Sequence, residues 1–329
     1  MNHKNFVICD SEVLYVDRFM EMLSRRKEVA FQVRACTSLT HLMSLEKEQS
    51  IDLLLITDEY SGEERSRVPA GRVFVLTRGR KIEVGSHETP VYKYQSADEI
   101  LTQILQTCLD HQDEDFFQVI SKNNRRLIGV YAPIHRSGKT TFALALGKEL
   151  AKKGSVLYMN LEEYAALGVQ FPKESGQDLS DLLYFVRQES GNFGLRVSTI
   201  VSQMEELDFV PPMRSCEDLK SVTAQEWQML LGQILDKSIY ETVILDLGES
   251  VQGLFAILEL CHSIYMPVLE DEISMAKIQC YEQNLQLMGL EKLVGRTTQF
   301  VLPAQVQGFV KQFAEEEAQY PYDTGRRTS

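Results

Sequence analysis

The stretch YAPIHRSGKTTFALAL, residues 131–146, decides the fold of this chain, because it joins an apolar run to a helix through a loop ending in Gly-Lys-Thr. The run before it, RLIGVYA (126–132), predicts a strand, and apolar residues at helical spacing predict a helix from about 139 to Gly154. Loops in this setting bind phosphate through backbone N–H groups, a lysine and a magnesium-binding hydroxyl. The stretch predicts a nucleotide site, with a relic loop as the alternative.

The predicted nucleotide contacts of this stretch are Arg136, Ser137, Gly138, Lys139, Thr140 and Thr141. Lys139 is the candidate ligand of the β and γ phosphates, Thr140 is the candidate magnesium ligand, and Arg136 adds positive charge. Pro133 stands where the standard loop begins with glycine, so one N–H donor is absent. Because non-glycine residues follow it, we expect a distorted loop path.

A second apolar strand, VILDLG (243–248), ends in an acid followed by glycine. Such an acid holds magnesium beside a phosphate loop, so we expect Asp246 to bind the ion through a water molecule and the Gly248 N–H to face the γ-phosphate. The alternative is an aspartate that merely begins a turn. The predicted cofactors are ATP or ADP with Mg²⁺.

Apolar strands alternate with helices along the whole chain, which predicts an α/β fold with two mostly parallel sheets. The predicted strands lie at 5–10, 30–37, 52–57, 72–77 and 90–94, and then at 126–132, 155–161, 241–247, 262–268 and 297–303. We predict an N-terminal domain at 1–112, a linker at 113–125, a phosphate-loop domain at 126–314 and a tail at 315–329.

The composition restricts the partners and the compartment. A formal net charge of −13 argues against a nonspecific grip on nucleic acid, which needs a basic face. The six cysteines form no CxxC pair and predict reduced thiols. No apolar run reaches the ~20 residues of a membrane span. We therefore expect a cytoplasmic protein without direct membrane insertion, which partners recruit to a membrane or a cell pole.

Three segments together resemble the MinD/ParA class of P-loop ATPases: GKTTFALALGKELAKKGSVLYMNLE, YETVILDLGES and CHSIYMPVLEDEISMAKIQ. The resemblance covers roughly 125–310. It implies a homodimer formed around two ATP molecules that acts as an ATP-gated positioning switch. It also implies an adenine contact near Pro303, after the last strand.

The chain departs from this family at the positions that complete hydrolysis. Ile134 stands where the family has a signature lysine that reaches the phosphates of the partner subunit, and Asn160 and Glu162 replace a pair of aspartates. We retain Glu162, which the resemblance implies for orienting water, and Asp246 as candidate catalytic residues. The loss of a transition-state charge predicts slow or absent hydrolysis. The alternative is an active P-loop ATPase or a transferase acting on a small acidic substrate.

The N-terminal domain resembles a response-regulator receiver, with Asp10, Thr77 and Lys93 at matching positions. Thr57 occupies the place of the phosphoacceptor, and Asp58 follows one residue later. A one-residue shift along a strand turns a side chain to the other face. The pattern predicts a pseudo-receiver, with a working receiver phosphorylated at Asp58 as the alternative.

A receiver-like domain before a MinD/ParA-like ATPase resembles the TadZ/CpaE group. This resemblance implies a role in positioning or assembling a Tad-type pilus or secretion apparatus, with its assembly proteins as partners.

Overall fold

Runs of consecutive apolar residues form the strands of two separate sheets, one in each of two units of the chain, Met1–Gln118 and Val119–Ser329. The computed structural model describes residues 4–25, 31–79, 84–110, 125–166, 171, 176–188 and 193–319. Both sheets are mostly parallel and carry helices between their strands, so the predicted α/β fold class is confirmed. The predicted linker lies, apart from Arg125, outside the described residues.

The first unit is a five-stranded parallel sheet in the order β2-β1-β3-β4-β5, the flavodoxin-like doubly wound order. Its elements are β1 (Lys4–Cys9), α1 (Val13–Arg25), β2 (Phe31–Cys36), α2 (Leu39–Glu48), β3 (Ile51–Thr57), α3 (Gly62–Ser66), β4 (Ala70–Thr77), β5 (Glu88–Tyr92) and α4 (Ala97–Asp110). Residues 53–56 of the central β3 are fully buried, as a strand covered on both faces requires. The last strand ends two residues earlier than predicted, which places Lys93 directly after it.

The second unit has a seven-stranded sheet in the order β12-β11-β6-β10-β7-β9-β8, parallel except for the β8–β9 pair. Its strands are β6 (Arg126–Val130), β7 (Val156–Leu161), β8 (Ser202–Met204), β9 (Leu207–Val210), β10 (Thr242–Leu247), β11 (Ser263–Val268) and β12 (Thr297–Val301). The crossover after β6 leads to β7 on one side of it, and the crossover after β10 leads to β11 on its other side. Ligands of open α/β sheets bind at such a switch point, beyond the carboxyl ends of the strands.

Helices cover both faces of this second sheet: α5 (Lys139–Ala151), α6 (Leu179–Arg187), α7 (Phe193–Ile200), α8 (Cys216–Ser221), α9 (Ala224–Lys237), α10 (Leu254–Leu260), α11 (Glu272–Leu287), α12 (Glu291–Arg296) and α13 (Val306–Gln319). On one face, α5 and α13 meet through aromatic contacts of Phe142 and Phe313. The sequence did not predict α7 or the antiparallel β8.

Helix α13 continues through residues 315–319, which the sequence assigned to a tail. The reason is Glu317, which is buried and accepts hydrogen bonds from the Tyr265 hydroxyl at 2.7 Å and from Arg126 at 3.3 Å. These contacts join the last described helix to β11 and β6. In the described part of the chain, no helix combines the length and hydropathy needed to cross a bilayer.

Candidate functional site

The loop between β6 and α5 contains a non-glycine residue in a conformation that favours glycine. Arg136 has φ 59°, in the left-handed region, so the backbone is strained at this position. Gly138 caps α5 with φ 91°, and a Cβ there would lie 2.5 Å from Leu302 Cδ2. Gly138 is therefore favoured by its backbone angle, and a larger residue would also have to displace the Leu302 side chain after β12.

Ile134 and Pro133, at the positions where the resembled family has its signature lysine and the standard loop has its first glycine, differ in exposure. Ile134 is 2% exposed and belongs to the hydrophobic core of its own unit, whereas Pro133 is half-buried. The side chain at position 134 therefore makes its contacts within the core of its own unit and is not exposed at the surface. His135 and Arg136 are exposed at the tip of the loop, and His135 Nε2 lies 3.9 Å from Glu249 Oε1.

Lys139 begins α5 and lies almost entirely within the protein, 9% exposed. Its Nζ donates to the carbonyl oxygen of Leu247 at 3.0 Å and forms an ion pair with Glu162 at 2.7 Å. The structure thus brings together the predicted lysine Lys139, the predicted residue Glu162 after β7 and the carboxyl end of β10. In this conformation Glu162 neutralises the lysine that we expect to bind phosphate.

Asp246, near the end of β10, is fully buried between donors from β7. Its Oδ2 accepts hydrogen bonds from the Tyr158 hydroxyl at 2.9 Å and from Asn160 Nδ2 at 3.3 Å. Its Oδ1 forms no hydrogen bond of good geometry among the described residues, although the Thr140 hydroxyl lies close to the carboxyl group. Burial and the nearby Glu162 carboxylate raise the pKa of Asp246 to about 6, whereas the polar contact of Thr140, the charge of Lys139 and the hydrogen bond from Tyr158 lower it.

A carboxylate oxygen without a hydrogen bond among the described residues lies near the first residues of α5, Lys139 and Thr140. Hard cations bind to oxygen atoms of this kind. Mg²⁺ takes oxygen ligands and keeps several waters. Asp246 Oδ1 and the Thr140 hydroxyl supply protein oxygens, and Thr140 is near enough to lower the pKa of the Asp246 carboxyl. The residues present therefore fit a magnesium ion.

Ser137 and the first turn of α5 complete the predicted phosphate side. The Ser137 hydroxyl is buried and has no hydrogen-bond partner within the described ranges. Helix α5 spans 13 residues, and the positive end of its dipole lies at this loop. Thr141 is exposed in the same turn.

Gly248 is placed differently from the expectation. Its N–H donates to the carbonyl oxygen of Leu161 at 3.1 Å, so in this conformation it is not available to a γ-phosphate. A Cβ at this position would lie 2.9 Å from Leu161 O and from Glu163 Oε2. Glycine is needed here because the segments after β7 and β10 pack against each other, and Glu163 joins them by accepting from the Ser250 N–H at 2.9 Å.

Pro303 is exposed after β12, and no described contact joins it to Lys139 or Asp246. Its neighbour Leu302 contacts Gly138, so this segment lies beside the loop. The adenine contact at Pro303 stays a prediction.

Sequence reasoning missed Tyr158 and Glu163. A signal for Tyr158 was present, because residues 158, 160 and 162 share one face of a strand with period two. This alternation would have predicted that the Tyr158 hydroxyl lies beside Asp246. For Glu163 the sequence carried no comparable signal, since its contact depends on how two loops pack.

A cleft of about 1230 Å³ adjoins the loop, and its lining includes Tyr131, Pro133, Phe255, Ile273 and Tyr281. None of the predicted nucleotide contacts lines it. Ile273 on α11 is 71% exposed. The cleft is therefore a mainly apolar surface that also carries Glu249, Glu272 and Lys277 and that borders the loop at Pro133.

In the first unit, the predicted receiver residues also meet at the carboxyl ends of the strands. Lys93 Nζ lies 2.7 Å from Asp10 Oδ2 and 2.8 Å from Glu12 Oε1. Asp58 pairs with Arg78 at 3.1 Å. Thr57 is buried, and its hydroxyl has no hydrogen-bond partner in the described part of the chain.

No protein-family model matches the chain, and no curated protein matches it. Among solved structures, it is similar to a ParA family ATPase from Chlorobium tepidum TLS (17% identity, 60% of this chain and 83% of that one, TM-score 0.44). It is also similar to the MinC:MinD cell division protein complex of Aquifex aeolicus (16%, 60% and 77%, 0.40). A third is cobyrinic acid a,c-diamide synthase from Mycobacterium smegmatis with bound ATP analog and magnesium (14%, 60% and 83%, 0.38). These identities are too low to transfer an activity.

Proposed function

We propose that the second unit binds ATP or ADP with Mg²⁺ and that the chain is a MinD/ParA-like positioning or assembly protein. The observation that carries this proposal is the buried Asp246 carboxylate, whose Oδ1 lacks a partner among the described residues, beside Lys139 and Thr140 at the start of α5. An unpartnered buried carboxylate oxygen is costly unless a ligand uses it. Bound magnesium would neutralise phosphate charge there.

We propose further that hydrolysis is slow or absent. Ile134 lies in the core of its own unit, so nothing at this position reaches a second subunit. Arg136 is the exposed cation of the same loop and the remaining candidate for that role. Glu162, the candidate for orienting water, is engaged with Lys139 at 2.7 Å.

The test of nucleotide binding is isothermal titration of the purified chain with ATP and ADP, with and without Mg²⁺. We expect Lys139→Ala to reduce affinity by about a hundredfold or more, because it removes a charge-assisted contact to phosphate. Lys148→Ala is the matched control, since Lys148 lies on the same helix and pairs with Glu205 at the surface. Full affinity in Lys139→Ala would refute the assignment of the loop.

The test of hydrolysis is steady-state turnover. We expect on the order of 0.01 per second or less, below the ~1–1000 per second of ordinary enzymes. Turnover within the ordinary range would favour the alternative of an active ATPase or transferase.

A homodimer formed through the loop face is part of the proposal. Its support is the apolar cleft beside the loop, with the exposed Ile273 on its wall. Light scattering after size exclusion with ATP should show a dimer that Ile273→Asp weakens. Leu287→Asp, at an exposed position outside the cleft lining, should leave the dimer intact.

We propose that the first unit is a pseudo-receiver used for docking and that the assembly served is a Tad-type pilus or secretion apparatus. The pairing of Lys93 with Asp10 and of Asp58 with Arg78 supports an unphosphorylated domain. Incubation with acetyl phosphate should leave Asp58 unmodified, and incorporation there would contradict the proposal. Deletion of the gene should abolish pili, with Lys139→Ala failing to restore them; normal pili in the deletion strain would refute this role.

A further inference from the structure

Two neighbouring residues of β7 converge on one oxygen of Asp246. The Tyr158 hydroxyl donates to Asp246 Oδ2 at 2.9 Å, and Asn160 Nδ2 donates to the same oxygen at 3.3 Å and to the Tyr158 oxygen at 3.1 Å. Parallel pairing of β10 with β7 sets Asp246 opposite Asn160. Tyr158 lies two residues earlier in that strand and therefore on the same face.

The orientation of the Asn160 amide follows from its two neighbours. Its Oδ1 accepts the Glu162 N–H at 3.0 Å, so its nitrogen must face Tyr158 and Asp246. A carboxylate at position 160 would turn an acceptor toward an acceptor at this distance. The amide thus makes a contact that the aspartate of the resembled family would not make.

The consequence is an asymmetric carboxylate. Oδ2 of Asp246 is engaged by two donors, whereas Oδ1 has no partner among the described residues and is fully buried. All three side chains lie within the protein, with exposures of 0% for Tyr158, 3% for Asn160 and 0% for Asp246. Such packing fixes the plane of the carboxylate.

We propose that Tyr158 and Asn160 are positioning residues that bind Asp246 through Oδ2 and so leave Oδ1 to face the magnesium of a bound nucleotide. The inference rests on the proposed nucleotide function. Residues that orient a metal ligand typically change metal affinity by about 10–100-fold when they are replaced. The roles of both residues are therefore measurable without any turnover.

The experiment compares Tyr158→Phe with the unchanged full-length chain, measuring ATP affinity in EDTA and over a series of Mg²⁺ concentrations. We expect the magnesium-dependent part of the affinity to fall about tenfold and the affinity in EDTA to stay within about twofold. Asn160→Ala should act in the same direction. Mn²⁺ with ATP provides a spectroscopic readout, since the electron paramagnetic resonance line of the bound ion should change in both variants.

Tyr240→Phe is the matched control, because Tyr240 is equally buried and its hydroxyl donates to a carboxylate, Asp208 Oδ2, at 3.1 Å. Tyr240 precedes the first residue of β10, at the end of the strand away from Asp246. It should alter neither affinity nor the Mn²⁺ spectrum. A folded Tyr158→Phe protein with unchanged magnesium dependence and unchanged spectrum would overturn the inference while leaving nucleotide binding intact. Absence of any magnesium-dependent binding in the unchanged chain would overturn the proposed function together with it.

Discussion

Both units place acids and a lysine at the carboxyl ends of parallel strands, but they leave different groups without partners. In the first unit, Lys93 engages Asp10 and Glu12, and Arg78 engages Asp58, so each of these acids has a cationic partner. Asp10 Oδ2 and the neutral Thr57 hydroxyl form no hydrogen bond among the described residues, but Lys93 Nζ lies 2.7 Å from Asp10 Oδ2 as its counter-ion. The buried carboxylate oxygen of this cluster thus already has a cation beside it.

In the second unit, the atoms at the site that lack a hydrogen bond among the described residues are the Ser137 hydroxyl and a carboxylate oxygen of Asp246. Lys139 is almost fully buried and is paired with Glu162, which is partly exposed at 28%, so this pair separates at low cost only where another anion replaces the carboxylate. The carboxyl edge of a parallel sheet can thus be neutralised by its own side chains or left with an unpartnered acid that a ligand can use.

The greatest loss of stability is expected when the cation of the Asp10–Glu12–Lys93 cluster is removed. Lys93→Met leaves Asp10 buried without its cation and should lower the free energy of unfolding of the first unit by about 3–5 kcal/mol. Denaturant unfolding of the chain measures this. Glu12→Gln is the control, because Glu12 is 51% exposed and its loss should cost less than about 1 kcal/mol. Equal effects of the two variants would show that Lys93 does not neutralise a buried acid.

The second prediction restores an acid in the second unit. Asn160→Asp sets a second buried carboxylate against Asp246 and should lower the free energy of unfolding by about 2–4 kcal/mol at pH 8. The loss should shrink below pH 6, where one carboxyl protonates. Unfolding curves at both pH values check it, and an unchanged midpoint at pH 8 would contradict the asymmetric arrangement around Asp246.

The third prediction concerns pH. The pKa of Asp246 is raised by burial to about 6, so the proton is bound below that value and must leave before a metal is held. Magnesium-dependent ATP affinity should be flat from pH 8 to 7 and fall up to tenfold per unit below about 6. Titration in EDTA should lack this fall. A magnesium dependence that stays level down to pH 5 would exclude Asp246 as the ligand.

The fourth prediction concerns the ion pair between Lys139 and Glu162. Glu162→Gln removes a carboxylate that competes with phosphate for this lysine, so ADP affinity should rise about three- to tenfold. Glu149→Gln, which removes a carboxylate paired with Lys152 on the same helix, should change little. Weaker ADP binding in Glu162→Gln would mean that Glu162 helps the nucleotide instead of competing with it.

The smallest expected effect is on the loop. Arg136→Gly releases the left-handed strain at φ 59° and should raise the free energy of unfolding by about 0.5–1 kcal/mol. Arg136→Ala removes the same charge but keeps the strain, so it should give no increase. A similar gain in both variants would assign the effect to charge.

Much of the fold was accessible from the sequence, because buried parallel strands read as continuous apolar runs such as residues 53–56 and 243–245. The positions of Lys139 and Asp246 also followed, since Lys139 begins the helix after the first such run of its unit and Asp246 lies near the carboxyl end of another. These are local signals that need no knowledge of distant neighbours.

Three features were not accessible, and each depends on tertiary contacts. The Gly248 N–H donates to the Leu161 carbonyl oxygen, and Glu317 binds the last turn of α13 to Tyr265. Arg136 adopts a left-handed backbone conformation that is unfavourable for non-glycine residues. Sequence patterns describe which elements form. They do not describe which backbone group a neighbouring loop will reach.

The burial of Ile134 has a consequence for how this loop can change. Its side chain is 2% exposed within the hydrophobic core, so a lysine introduced there must either bury an unpaired charge or pull the loop out of its packing. A lysine at this position would therefore require the surrounding packing to change. Core packing within its own unit thus restricts the residue type at position 134.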